Sequence, residues 1–403
     1  MTEFNPLDPR LRSDPYEIYR ALRAEDPVHW SPMMQVWVLT RYDDVLAVLK
    51  DHPHYSSERT KAKNPLVQAL ESYRLSSGPL GTTPTMLSID PPAHTRMRSL
   101  VNKAFTPRVV ERIRPHIGEI AESLINELPE PGRIDVVNEF SVPLPVIVIA
   151  ETLGVPAHDR GKFKQWSTDI AGSLGGPFLP QEALDRSVRA ANEIADYFRD
   201  QITLRRREPR DDLLSALCAA EEQGDLLTED ELIATCILLL VAGNETTTNL
   251  IGNGMLALLQ HPDQRLLLHE DPALIPSGVE EMLRFDSPAQ MTSRIVTGPI
   301  ELRGRRFEEG QVVLAVISAA NRDPEQFADP ERFDVARRPN RHIAFGQGIH
   351  YCLGAPLAVA EAQIAFETLL RRLPEPEAAF EAPQWNQSFI LRGLRALPIT
   401  YKT

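Results

Sequence analysis

Over the first sixty residues two brief apolar runs, Val28 to Trp30 and Val36 to Leu39, are bounded by Pro and Ser, and a short amphipathic stretch from Pro15 to Arg23 precedes them. Paired apolar runs separated by a turn predict a hairpin, here following a short helix. From Pro91 to about Pro272 the period changes. Ile113, Ile117, Ile120, Ala121 and Leu124 recur at helical spacing, as do Ile194, Phe198 and Ile202. That is the stripe of helices packed on one side. Thr228 and Glu231 form a capping box flanked by Leu227 and Leu232, and the apolar stretch that follows runs to about Gln260, where His261-Pro262 stops it. This predicts a long, mostly buried helix. A further helix over Gly278 to Arg284, short strands between Arg294 and Ile317, a Pro-rich charged meander from Asp323 to Arg341 and a last helix from Leu353 complete the pattern. No repeat and no Gly/Ser linker interrupts it.

The expectation is one mainly α domain over residues 1–403. Its parts are a small-sheet region at about 1–65, a helical core at about 90–290, strands, meander and a cysteine loop at about 291–354, and a C-terminal helix and tail over 355–403. Composition adds exclusions. The net charge of -13 repels phosphate backbones and anionic lipid, so nucleic acid is not an expected partner. Cys218, Cys236 and Cys352 lie far apart, outside any C-x-x-C or disulfide-dense spacing, which fits a reducing compartment. No signal-peptide pattern and no apolar run long enough to span a bilayer is present, so the expectation is a cytoplasmic protein without a membrane anchor.

The richest stretch for chemistry is Phe345-Gly346-Gln347-Gly348-Ile349-His350-Tyr351-Cys352-Leu353-Gly354. A lone Cys before an apolar helix is ordinarily a small buried hydrophobe. Here, however, Cys352 stands at a helix mouth with Pro356 in the first turn, a setting whose free N–H groups favour a thiolate. Gly348 and Gly354 let amides approach the sulfur, and Phe345 shields it from water. Within the long helix, Ala242-Gly243-Asn244-Glu245-Thr246-Thr247 sets an acid beside hydroxyls amid Leu and Val. Burying a carboxylate is costly, and a mid-helix Thr loosens the backbone by bonding to the preceding turn. Read alone, the pair is open between a solvent-facing and a functional placement. Glu281 and Arg284 share a helix face, as do His94 and Arg98, and either pair alone is an ordinary surface pair.

Together these residues resemble the cytochrome P-450 superfamily in its soluble bacterial form. The loop matches F-x-x-G-x-x-x-C-x-G at every specified position, and Ala242 to Thr246 matches A-G-x-[D/E]-T. Glu281 to Arg284 matches E-x-x-R, and His94 to Arg98 matches H-x-x-x-R. The resemblance implies a triangular helical prism with small β-sheets, heme b as cofactor and Cys352 as its metal ligand. It implies that His94, Arg98, Arg294 and His350 meet the propionates, and that Phe345, Gly346, Gly348 and Ala242 line the haem. It also implies that Thr246 positions O2 and water while Glu245 relays protons. Arg332, in Pro330-Glu331-Arg332-Phe333, matches the arginine that joins Glu281 and Arg284 in a structural clamp. One departure is Val359, where the family often carries Arg.

The implied reaction is insertion of one oxygen atom from O2 into a lipophilic small molecule. Electrons come from a ferredoxin and ferredoxin reductase, or a flavodoxin, since no dinucleotide fingerprint is visible. A monomer is expected. Alternatives are a peroxide-driven peroxygenase, a Cys/His hydrolase using Cys352 with His350, and a gas-binding haem sensor. The hydrolase explains neither Glu245-Thr246 nor Glu281-Arg284. The expected pocket consists of Met86, Leu87, Leu174, Leu238, Ala242, Met291, Thr292 and Ile390, with no charge to anchor a carboxylate.

Overall fold

The computed structural model describes residues 2–76, 81, 83–171, 180–222 and 224–402. The hairpin forms where the alternation predicts it, with strand Val28–Ser31 antiparallel to Val36–Leu39. Its second strand then pairs in parallel with Val312–Ala315, which pairs antiparallel with Thr292–Val296, and Tyr55–Ser56 closes the far edge. The hairpin is thus one side of a five-stranded sheet whose centre comes from the other end of the chain. A second sheet adds a strand to the middle of the chain, whose periodicity is almost all helical. Arg133–Asp135 is a strand, paired with Pro398–Thr400.

The helical stripes fall as their periodicity demands. In Pro107–Asn126 the Thr106 hydroxyl caps the first turn by accepting from the Val109 amide, and Ile117, Ile120 and Ala121 are buried. In Gln181–Arg207 the same holds for Ile194, Phe198 and Ile202. The long helix is Glu229–Gln260, opened by the Thr228–Glu231 capping box. It is apolar around most of its circumference, as a helix running through a core must be. Both flanking leucines, Leu227 and Leu232, are buried, consistent with a hydrophobic staple. Among the described residues no helix is long and apolar enough to cross a membrane.

Candidate functional site

The cysteine loop is shaped by its glycines. Gly346 and Gly348 have φ of 70° and 72°, the left-handed region that only glycine enters without strain. A Cβ on Gly348 would also lie 2.5 Å from the Leu49 carbonyl oxygen. This corrects the role expected for Gly348, which turns the chain and packs it closely rather than bringing an amide to the sulfur. The amides at the sulfur are those of Gly354 and Ala355. The helix proper begins at Ala355 with Gly354 as N-cap and Pro356 in its first turn. The Cys352 amide donates to the Phe345 carbonyl at 3.0 Å, closing the loop.

The Cys352 side chain is accessible yet sits deep within the fold. Desolvation raises its pKa, and the Gly354 amide, the Arg98 cation and the Ala355 amide oppose that rise. The other cysteines lack this setting: Cys236 is buried and Cys218 partly buried, and desolvation raises both thiols.

Above the loop the four expected cationic side chains gather. The rings of His94 and His350 lie 4.4 Å apart, and Arg98 Nη2 donates to the Tyr351 carbonyl at 2.8 Å. Arg294 Nη1 donates to Thr292 Oγ1 and the Ser293 carbonyl, and among the described residues its guanidinium forms no ion pair. The cluster is electrostatically stressed. Burial, then the charges of Arg294 and His94, drives the His350 pKa down to about 3. Burial drives Arg294 down to about 10 and lowers His94. Both ring nitrogens of His94 are buried without a hydrogen-bond partner, a costly state for a polar group.

Asp90 is the nearby acid, but its carboxylate is held by Ser56, the Ser57 amide and Lys61. Sequence reading missed it, together with Ser57, whose hydroxyl pairs with His350 Nε2 at 2.9 Å. Two guanidiniums and two imidazoles gathered with few anions to pair them, beside a sulfur facing helix-start amides, fit a group carrying two carboxylates and a thiolate-binding iron.

On the long helix the acid and alcohol part from their neighbours. Asn244 Nδ2 donates to Ser167 Oγ at 2.7 Å, and Thr248 Oγ1 donates to the Ser141 carbonyl at 2.9 Å. Those two side chains therefore fasten the helix to the core. Ala242 instead presents open surface in the middle of the helix, with Glu245 and Thr246 half-buried nearby. Thr246 Oγ1 donates to the Ala242 carbonyl at 2.8 Å. Burial raises the Glu245 pKa above the usual carboxylate range.

The clamp around Glu281 forms, with one exchange of partner. Glu281 and Arg284 are fully buried and joined twice, Nε to Oε2 at 2.7 Å and Nη2 to Oε1 at 2.8 Å. The second guanidinium on the carboxylate is that of Arg337, whose Nε reaches both oxygens at 3.1 Å. Arg332 is exposed and offers only its carbonyl, to Arg284 and Arg337. The backbone turns at Phe333, which is buried, so Arg332 on its other side faces outward.

Three of the expected pocket residues, Met291, Thr292 and Ile390, line a cavity of about 510 Å3 together with Met34, Val36, Leu66, Val67 and Phe389. The others that the structure describes are not in its lining. Met86 is buried in the main core, Leu238 packs on its edge, and Leu87 is exposed in a turn in which Thr85 and Ser88 bond to each other. Leu174 lies outside the described residues. The expectation of a lining without charge is also corrected, because Arg59, Glu71 and Arg74 border the cavity. For Arg59 the only sequence signal is the basic run Arg59-Thr-Lys61-Ala-Lys63.

Residues 15–375 match the family Cytochrome P450, and the chain belongs to that family. It is therefore an oxidoreductase of the P450 type, in a family whose haem iron is bound by a cysteine thiolate. Among its relatives is the polyketide biosynthesis cytochrome P450 PksS of Bacillus subtilis (strain 168), 39% identical with 98% of each chain covered. The cytochrome P450 monooxygenase PikC of Streptomyces venezuelae is 41% identical, over 99% of this chain and 94% of that one. The fold agrees with solved structures. That of PksS superposes with a TM-score of 0.90 at 38% identity, covering 99% of this chain and all of that one. That of CYP109E1 from Bacillus megaterium in complex with testosterone gives a TM-score of 0.86 at 38% identity, covering 97% of this chain and 100% of the other.

Proposed function

We propose that the protein inserts one oxygen atom from O2 into a lipophilic organic substrate, by hydroxylation or epoxidation. Electrons come from separate proteins, a ferredoxin with its reductase or a flavodoxin, and the enzyme works as a monomer in the cytosol. The observation that carries this reading is the conjunction of Cys352, facing amides at a helix start, with the cluster of His94, Arg98, Arg294 and His350. Cys352 would hold the iron of heme b, His94, Arg98, Arg294 and His350 would meet its propionates, and the cofactor would supply the oxygen-activating redox chemistry.

The chain's own residues do the rest. The amides of Gly354 and Ala355 hold charge on the Cys352 sulfur. Because the Thr246 proton is already committed to the Ala242 carbonyl, its oxygen is left to accept, which suits it to orient a water. Glu245, whose carboxyl is raised above the usual carboxylate range by burial, is suited to hold and release a proton as a general acid in a poorly hydrated site. An apolar cavity supports the lipophilic substrate class. So do relatives named for polyketide biosynthesis and for vitamin D(3) 25-hydroxylation.

The test is turnover under 18O2 with a ferredoxin, its reductase and a nicotinamide, on substrates chosen by the spectral shift they induce. One labelled oxygen per product is expected. Label arriving from water, or turnover that needs only peroxide, would overturn the reading.

A further inference from the structure

One turn after Glu245 on the long helix stands Asn249, which is 3% exposed and whose Nδ2 is buried without closing a hydrogen bond. Such a state is costly for an amide. That nitrogen faces the Glu245 carboxyl group: burial raises the Glu245 pKa, and the Asn249 side chain opposes the rise. Among the described residues no charged side chain from the elements packed on the helix adds to those two causes.

The other side of the amide meets Gly393. A Cβ there would lie 1.7 Å from Asn249 Oδ1, 2.2 Å from its Cγ and 2.8 Å from Nδ2. Gly393 has no left-handed φ, so space, and not backbone freedom, calls for glycine at this position. Its segment is fixed against the same helix face. Asn253 Nδ2, a further turn along, donates to the Arg392 carbonyl at 3.0 Å. The Arg392 amide donates to the Pro288 carbonyl and the Asn386 amide to the Gly393 carbonyl, each at 2.8 Å. Glu245, Asn249 and Asn253 thus form one row at i, i+4 and i+8, with the Arg392-Gly393 backbone laid against it.

We infer that Asn249 is a positioning residue for proton delivery, its amide holding the ionised Glu245 carboxylate in one orientation without pairing its charge, and that Gly393 supplies the space that seats the amide. The contrast with Glu281 shows why an amide suits this place. Two guanidiniums pair the charge of Glu281 and fasten the fold. An acid that must regain a proton in each cycle is better oriented by a neutral donor, which stabilises the anion less.

This inference rests on the reading of Glu245 as the acid that relays protons, and two readouts separate them. The first needs no turnover. In the holoprotein the infrared C=O band of protonated Glu245, identified by its loss in Glu245→Gln, is followed against pH. Asn249→Ala should move its midpoint up by about one pH unit, since the ionised form loses a donor. Gly393→Ala should shift it in the same direction by displacing the amide. Combining the two substitutions should give no more than Asn249→Ala alone, because the added methyl acts only through that amide. The second readout is turnover with a ferredoxin and reductase, in which Asn249→Ala should be slowed and should show a larger solvent deuterium effect than the wild type. An unmoved midpoint in Asn249→Ala, wild-type turnover despite a moved midpoint, or shifts that add in the double variant overturn the inference. Should Gly393→Ala fold poorly, Asn249→Ala decides by itself. A moved midpoint with wild-type turnover in Glu245→Gln would remove Glu245 as the relay while Asn249 still orients it. Slow turnover in Glu245→Gln with an unmoved midpoint in Asn249→Ala would keep the relay and remove the role of Asn249.

Discussion

Arg337→Ala and Arg332→Ala make a discriminating pair, because motif matching assigns the clamp to Arg332 and the structure assigns it to Arg337. Arg337 Nε contacts both Glu281 oxygens at 3.1 Å, and its Nη atoms donate to the carbonyls of Ala328, Asp329 and Arg332. Its removal leaves Glu281 bound to Arg284, the Asp334 amide and Asn340. The cost is therefore below the 3–5 kcal/mol typical of stranding a buried charge outright. A charge-assisted hydrogen bond contributes about 1.5–3 kcal/mol, and the freed carbonyls at the exposed edge regain water. We expect a loss of about 1.5–3 kcal/mol for Arg337→Ala.

For Arg332→Ala the side chain is exposed and the functional carbonyl is kept, so the loss should be below about 0.5 kcal/mol. Urea unfolding of both variants, followed by circular dichroism and by cofactor absorbance, measures the difference as a shift in midpoint at constant slope. Equal losses, or a larger loss for Arg332→Ala, would refute the assignment. Glu281→Ala, which strands two guanidiniums, should exceed either and yield little folded protein.

Cys352→Ala should abolish the reduced carbon-monoxide spectrum of a thiolate-ligated haem, whereas Cys218→Ala and Cys236→Ala should keep it; its persistence in Cys352→Ala would remove Cys352 as the ligand. Thr246→Ala should divert electrons into hydrogen peroxide with substrate affinity preserved, while Glu245→Gln should slow turnover, both read as product and peroxide per nicotinamide consumed. Glu361 is buried in helix Ala355–Arg372, and burial raises its pKa to about 8. A folded-state pKa above the unfolded one means that the folded protein binds the extra proton, so stability should fall as pH rises from about 4.5 toward 8. The loss should be on the order of a few kcal/mol. In Glu361→Gln that part of the slope should vanish, and unchanged pH dependence of the urea midpoint would contradict the assignment.

What the sequence determined on its own was whatever depends on neighbours in the chain. The capping box at Thr228 and the stop at His261-Pro262 bound the long helix within its observed limits, because capping and proline sterics act over a turn. The hairpin at Val28 and the buried faces at Ile117 and Phe198 followed from periodicity. Tertiary structure decided the contacts between distant segments. The strand Arg133–Asp135 has too few residues to show alternation and exists through its pairing with Pro398–Thr400.

Whether Arg332 or Arg337 reaches Glu281 turns on which side of the meander each faces, and no local period records that. The same holds for Arg59, a solvated charge by sequence that folding brings to the edge of an apolar cavity, and for Leu87, apolar by sequence and exposed by its turn. Local backbone preferences act over a few residues and are written in order along the chain. Charge pairing and cavity lining depend on which segments meet, and so appear only once the core has closed.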